Sequence, residues 1–207
     1  MRNTKRIAAL LCSLSLMALA ACAVQPGEVE QSIQPARLTQ EEQDIVQLLG
    51  MGDDSLIYDF ELDGTAQSVE ICAYQLLDGG WQPLTSGARQ LTGTEGRLAL
   101  RFEIIGDGVC TSVQSGHHGS SDSWSSPEPV QGEELGWHTA VRSDRTEIAY
   151  EQEIPLVVQF GGSGSAVPSF GVDGFFTPGD YAGCEYAYAI TVRFSQKTVD
   201  ELEPGLT

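Results

Sequence analysis

Residues 186–195, YAYAITVRFS, alternate between large apolar side chains and small or polar ones. Because successive residues of a strand point to opposite faces, this spacing predicts a β-strand with one buried face. The apolar stripe is the strongest in the chain, so we expect the strand to lie in the centre of a sheet. Its buried face would comprise Tyr186, Tyr188, Ile190, Val192 and Phe194.

Other segments share this period of two, and turn signals separate them. Asp107-Gly108 favours a tight turn and predicts a hairpin between residues 97–105 and 109–114. Further strands are predicted at 55–62, 67–77, 80–85, 136–142, 145–150 and 155–160. Their inward positions include Leu98, Leu100, Phe102 and Ile104, and earlier in the chain Val69, Ile71, Ala73 and Leu77. The series predicts an all-β fold, an antiparallel β-sandwich over residues 55–196, with a partly closed β-barrel as the alternative.

One short helix is predicted ahead of the strands, within residues 39–50. Thr39 can cap its first turn while Glu42 reaches back, which is the capping-box pattern. Gly50 is a typical stop signal. The helix should pack on the edge of the domain through Ile45, Val46, Leu48 and Leu49.

The N-terminus has a basic start followed by an apolar run. Residues 1–6 carry three basic side chains and no acid, and residues 7–21 are apolar apart from two serines. This is the pattern of a secretory signal, and the run is shorter than the ~20 residues that cross a bilayer. It ends in Leu19-Ala20-Ala21-Cys22, which resembles the lipobox of bacterial lipoprotein precursors.

The resemblance covers residues 1–22 only and implies a lipid anchor. It implies removal of signal peptide 1–21 by cleavage between Ala21 and Cys22, with a diacylglycerol on Cys22. Two acyl chains suffice for anchoring, because each buried methylene contributes ~0.8 kcal/mol. The implied location is the cell membrane, facing outside the cytoplasm. An ordinary signal peptide cut after an Ala-x-Ala-like site is the alternative.

Polar residues follow the implied anchor. Residues 22–38 are expected to form the lipidated N-terminus and a flexible tether, of which the sixteen residues 23–38 would span roughly 20–25 Å as a coil. Residues 197–207 are expected to be a C-terminal tail. The length that remains suits one domain with a sizeable core.

The charge of the chain restricts its partners. Removal of residues 1–21 takes away three basic residues and no acid, which changes the formal net charge from −18 to −21. Nucleic acid is excluded as a partner, because its phosphates need a basic surface. Electrostatic docking on anionic headgroups is excluded as well, so the lipid must provide the membrane attachment.

Three cysteines remain after Cys12 leaves with the signal and Cys22 takes the lipid: Cys72, Cys110 and Cys184. At most one intramolecular disulfide can form among them, and the sequence does not assign the pair. Cys110 could be a nucleophile with His117 or His138 as its base, but its place in a strand favours a structural role.

A polar stretch, residues 112–131, contains seven serines and predicts a long loop. His117, His118, Asp122 and Trp124 are its candidate binding residues. Trp124 is expected to be exposed, whereas Trp81 should cover a turn and Trp137 should belong to the core. The histidines lack the spacing of a zinc site, so we predict no metal and no cofactor.

These observations favour a membrane-anchored, non-catalytic binding module whose ligand is a protein, a peptide or a glycan. The support for binding is the fold class together with the lack of a catalytic constellation. A hydrolase acting on cell-envelope or extracellular polymer is the alternative, and a cleft that holds two or more of His117, His138, Cys110 and an acid within hydrogen-bond reach would favour it. A structural partner of another membrane complex is a third hypothesis.

Overall fold

The computed structural model describes residues 31–49, 55–130, 135–162 and 170–202. Their strands form two antiparallel sheets, which confirms the all-β sandwich. No strand of one described sheet pairs with a strand of the other, so the partly closed barrel is not formed. The strands are β1 (Ser32–Pro35), β2 (Ser55–Glu61), β3 (Ser68–Leu77), β4 (Gly80–Gln90), β5 (Glu95–Arg101), β6 (Gly108–Ser115), β7 (His118–Ser125), β8 (Gly136–Val141), β9 (Thr146–Glu147), β10 (Glu153–Gly162) and β11 (Tyr186–Ser195).

The alternating segment 186–195 forms β11 and lies centrally, as expected. The five-stranded sheet has the order β4-β3-β11-β10-β8, so β11 pairs with a long strand on each side. The six-stranded sheet has the order β7-β6-β5-β2-β1-β9. Strands β7 and β9 are therefore the edges of one sheet, and β4 and β8 are the edges of the other.

The hydrophobic core lies between the inner faces of the two sheets. Phe194 of β11 meets Phe60 of β2 edge to face, with ring centroids 5.2 Å apart. Leu100 and Ile190 are both 0% exposed. Complete burial of such a side chain stabilises the fold by roughly 1.5–3 kcal/mol. Apolar alternation along the strands therefore supplies the energy that holds the sheets together.

A second apolar cluster covers part of the outer face of the five-stranded sheet. Two 3-10 turns, Val172–Phe176 and Pro178–Tyr181, place Phe175 and Tyr181 over this face. Trp81 was expected to cover its turn, but it stacks on Phe175 at 5.3 Å and donates its indole N–H to the Phe175 carbonyl. An aromatic partner distant in sequence determines its position.

Strand β1 corrects the expected tether. Residues 32–35 do not belong to a flexible segment, because they form a strand between β2 and β9. Ser32 is 3% exposed and Ile33 is 0% exposed. The strand escaped prediction because it is short and contains one large apolar residue, whose burial depends on strands that lie later in the sequence.

The predicted helix is present as α1 (Gln40–Leu48), and its capping box is confirmed: Thr39 and Glu42 bond reciprocally. Gly50 lies outside the described residues. The expected apolar face is mostly exposed: none of the helix residues is buried, Leu48 is 86% exposed, and Val46 is half-buried. An ion pair from Glu42 to Arg97 at 2.7 Å joins the helix to β5.

Two predicted strands are shorter than expected. The segment 97–105 pairs with β6 as predicted but ends at Arg101, because the chain turns over Tyr188 at Gly106, where a Cβ would lie 2.4 Å from the ring. The segment 145–150 contains only β9, two residues long. Leu77, expected to point inward, is 47% exposed at the end of β3, where Asp78 and Gly79 turn with positive φ.

No helix within the described ranges is long and apolar enough to cross a bilayer. The signal segment, with Ala21 and Cys22, lies outside those ranges, as do residues 203–207. In the expected C-terminal tail, Val199–Glu201 forms a 3-10 turn that is capped by Thr198.

Candidate binding cleft

The serine-rich stretch 112–131 is not a long loop. Residues 108–115 and 118–125 form the hairpin β6–β7, with eight paired positions and no shift of register. Gly116 makes the turn possible, since its φ of +58° is costly for other residues. The hydrogen-bond ladder with β6 stabilises β7 although β7 has almost no apolar residues, and this is why composition predicted a loop.

The register gathers three of the four candidate residues on one face. Val109 and Val113 of β6 are buried between the sheets, and their partners on β7 are Trp124 and Ser120. Because side chains alternate along a strand, the inner face of β7 carries every second residue from its start. These inner residues are His118, Ser120, Asp122 and Trp124, whereas Gly119, Ser121, Ser123 and Ser125 face outward.

A cavity of about 230 Å³ lies beside β7, where the edge of one sheet meets the edge of the other. Asp122 and Trp124 line it from β7, and Arg89 lines it from β4. Trp124 was expected to be exposed, but it is half-buried because its ring forms part of this wall. The apolar floor consists of Ile71, Ala73, Val109 and Ile190.

An ion pair between Arg89 and Asp122 spans the cavity mouth. The Arg89 side chain is 10% exposed and that of Asp122 is 67% exposed, so the arginine belongs to the wall and the aspartate to the rim. Gly87 makes room for the guanidinium, because a Cβ there would lie 2.8 Å from Arg89 Nη1. Sequence reasoning missed Arg89 and Gly87, since the β4–β7 proximity that unites them with Asp122 is a tertiary contact.

A shallower depression continues the cavity along the same edge. It has a volume of about 570 Å³ and lies between β4 and the start of β7, and Arg89 belongs to both walls. We call the two together the β4–β7 groove. Asp200, from the 3-10 turn after β11, stands at its far end, and His118 lies on its β7 side.

The other candidate residues lie elsewhere. His117 is exposed in the hairpin turn. His138 stacks on Phe160 from β8, at the sheet edge opposite β4, with ring centroids 5.8 Å apart. Within the described residues, no group of three or more His, Cys, Asp or Glu side chains could hold a metal ion. Trp137 contacts the core from β8, as predicted.

The three thiols are also separate from the groove. Cys72, Cys110 and Cys184 are all free. Burial, followed by the charge of Glu70, raises the pKa of Cys72 to about 12, and burial raises the pKa of Cys184 as well. Cys110 lies on the outer side of β6, where Arg101 donates to its sulfur at 3.3 Å. This position agrees with its predicted place in a strand.

Sequence reasoning also missed a polar ladder on the outer face of the five-stranded sheet. Glu70 of β3, Arg193 of β11 and Glu153 of β10 are register partners. Arg193 donates to Glu70, and Tyr74 donates to Glu153. Burial and then the bond to Glu153 raise the pKa of Tyr74. The ladder joins three strands. The sequence feature that could have revealed it is Arg193, a charged residue on the polar face of the segment that predicted β11.

The geometry suits recognition by shape and polar contacts, with an apolar pocket, an ion pair at its mouth and an exposed strand along one side. Pockets for drug-sized molecules occupy roughly 300–1,000 Å³. At about 230 Å³ the cavity suits a single side chain or another small group. Compared with known proteins, the chain matches no protein family, no curated protein and no solved structure.

Proposed function

We propose that this protein is a lipid-anchored binding module of the cell envelope, held on the membrane outside the cytoplasm through Cys22. The β4–β7 groove is its binding site. The observation that carries the binding proposal is the position of Asp122 and Trp124. Their alternate spacing on β7 directs both side chains to one cavity, which Arg89 completes from the other sheet.

The lipid anchor is supported by the sequence Leu19-Ala20-Ala21-Cys22 after a basic and apolar segment. Strand β1 adds a geometric consequence. Among the described residues, the first buried one is Ser32 rather than a residue near Thr39. Ten residues reach at most about 35 Å when fully extended. The domain would therefore be held close to the bilayer, with β1 as its point of attachment.

Replacement of Cys22 by alanine tests the anchor. The variant should leave the membrane fraction or accumulate as the uncut precursor, because no thiol is available for the lipid. Ser15→Ala, within the signal, is the matched control and should fractionate like the natural protein. A Cys22→Ala protein that is cut normally and stays in the membrane would contradict the proposal.

A photo-crosslinking amino acid tests the groove in intact cells. Placed at Ser120, which lines the groove, it should capture a ligand. Placed at Asp78, in the exposed β3–β4 turn, it should capture much less. Equal capture at both positions, or none at position 120, would reject the groove as the binding site.

The residues on which the hydrolase alternative depends lie far apart in the fold. Its candidates, His117, His138 and Cys110, occupy a turn, an opposite sheet edge and the outer face of β6. They do not form the cleft that this hypothesis required. Turnover of an envelope polymer by the purified protein, abolished by a substitution in the groove, would favour the hydrolase over the binding module.

A further inference from the structure

Strand β7 lies at the edge of its sheet, and no other described strand pairs with its outer side. Among the described strands its neighbour is β6 alone, and seven of its eight residues are exposed. Ser126 N–H donates to the Asp107 carbonyl at 2.8 Å, and the register continues unshifted from there to His118. Because hydrogen-bonded and non-bonded pairs alternate along an antiparallel ladder, the inner-facing residues of β7 bond to β6.

The outward-facing residues of β7 therefore direct their backbone groups away from the sheet. No described residue accepts a backbone hydrogen bond from their N–H groups. These positions offer a regular row of donors and acceptors to another extended chain. They are Gly119, Ser121, Ser123 and Ser125.

Proteins commonly protect an edge strand with proline, lysine, a bulge or a short length. Strand β4 contains Pro83 and an extra residue, Leu84, where its register with β3 shifts, and β9 has two residues. Strand β8 has six residues, none of which lines the groove. Strand β7, with the sequence HGSSDSWS, has eight residues, no proline, no lysine and no bulge, and its one inward-facing charge, Asp122, is paired with Arg89. It also borders the cavity, so an added strand could place one side chain there.

The charge of the protein indicates the chemistry of the strand that β7 could accept. The chain carries a net charge of −18, so two copies repel each other. Asp122 and Asp200 stand along the groove. Among its described lining residues the one arginine or lysine is Arg89, which is largely buried and already paired with Asp122. A peptide with lysine or arginine side chains complements this surface, whereas an acidic one does not.

We propose that β7 binds a basic, extended peptide segment as an additional strand, with one apolar side chain of that segment in the 230 Å³ cavity. Backbone hydrogen bonds to the outward-facing residues would give the affinity, and the cavity would select the side chain. The inference rests on the proposed binding function, since it assigns a ligand class to the same groove.

The peptide acetyl-Thr-Lys-Thr-Leu-Thr-Lys-Thr-amide, with a fluorescent label, is the probe. Fluorescence anisotropy with the full chain, purified from membranes in non-ionic detergent, should show saturable binding. Methylation of alternate peptide nitrogens should weaken it about tenfold or more, because it blocks strand pairing without changing side chains. Replacement of both lysines by glutamate should also weaken it.

Ser123→Pro removes an outward N–H of β7 without removing a bond to β6, and Ser123→Ala keeps that N–H. The proline variant should bind about tenfold more weakly, and the alanine variant within about twofold of the natural protein. Ser121→Pro is a second variant at an equivalent position, and thermal unfolding of each variant establishes that it is folded. Equal binding by the proline and alanine variants would overturn the proposal.

Ala73→Leu tests the cavity, because the larger side chain grows from its floor. The variant should weaken binding of the leucine peptide more than binding of a peptide with glycine in the central position. Equal loss for both peptides would reject the cavity as the side-chain pocket. Analytical sedimentation tests whether a second copy of the chain occupies the edge of β7. If the natural protein were a dimer and Ser123→Pro a monomer, the occupant would be a second copy, and the proposal of a basic peptide would be rejected.

These outcomes separate the two proposals. Capture at position 120 that is insensitive to Ser123→Pro would retain the groove and reject strand addition. If the crosslinker at position 120 captured nothing in cells while the purified protein still bound the probe, strand addition at β7 would be retained. The groove would then be rejected as the ligand site in the cell.

Discussion

Strands β11 and β7 are of similar length but opposite character. Strand β11 lies between two long partners, and eight of its ten residues are buried. Strand β7 has one partner among the described strands, and seven of its eight residues are exposed. The first is held by burial of apolar side chains, and the second by its hydrogen-bond ladder. The strand that stabilises the fold is therefore not the strand whose edge is available to a ligand, although both line the cavity.

The largest expected effect is in β11. Phe194→Ala should lower the free energy of unfolding by about 3–5 kcal/mol, because it leaves a cavity beside Phe60. The matched change in β7, Ser123→Ala, should stay within about 0.5 kcal/mol. Urea unfolding of both variants measures this difference, and similar losses would mean that β7 carries part of the core energy.

Strand β1 tests whether a short, mostly polar strand can be held by burial of an apolar side chain, as β11 is. Ile33 is 0% exposed, so Ile33→Ala should cost about 2–5 kcal/mol in the same assay. Gln34→Ala, at the next and half-buried position, is the control and should cost less than about 1 kcal/mol. If Ile33→Ala had no effect, residues 32–35 would act as the tether that the sequence suggested.

Two glycines show how differently the interior and the β7 edge should tolerate a larger side chain. A Cβ at Gly96 of β5 would lie 2.2 Å from the Phe60 ring and 2.4 Å from the Gln114 carbonyl, whereas one at Gly119 of β7 would meet its nearest atom at 3.9 Å. Gly96→Ala should therefore cost about 1–3 kcal/mol. Gly119→Ala should be neutral or slightly stabilising, as the midpoints of thermal unfolding would show. Equal tolerance at the two sites would contradict this account.

The smallest effect is expected at the exposed helix. Hydrogen bonds from Arg97 and Thr39 lower the pKa of Glu42 from its usual 4.5 to about 2. Because the folded pKa is the lower one, Glu42 stabilises the protein above pH 4.5, and its contribution is lost as the pH falls to about 2. The stability difference between the natural protein and Glu42→Gln should vanish over this interval. Gln47→Ala, in the same helix, is the control: it replaces a side chain that does not titrate, so its effect on stability should be the same over the whole interval.

Prediction from sequence succeeded where a local rule decides the structure. The alternation in 186–195 predicted β11 and its central place, and the Thr39–Glu42 spacing predicted the cap of α1. It failed for β1 and β7, whose residues lack apolar alternation. Each forms because a neighbouring strand supplies a hydrogen-bond ladder, and a single-chain pattern contains no record of that neighbour.

The candidate site shows the same division. His118, Asp122 and Trp124 were selected for their chemistry, and their spacing of two or four residues was visible in the sequence. Their common orientation was not, because the segment was interpreted as a loop. Arg89 and Gly87 come from another sheet, so only the approach of β4 to β7 reveals them.

By itself, the sequence determined the class of the fold, its central strand, the cap of its helix and the strong negative charge, because each follows from the spacing or number of residues along the chain. It also carries the lipobox-like motif on which the proposed anchor rests. Only the tertiary structure decided that residues 32–35 belong to a sheet, that β7 is an edge with a free row of backbone groups, and that a cavity opens beside it. Those features depend on which strands become neighbours, and that is settled by the burial of both sheet faces together rather than by any one segment.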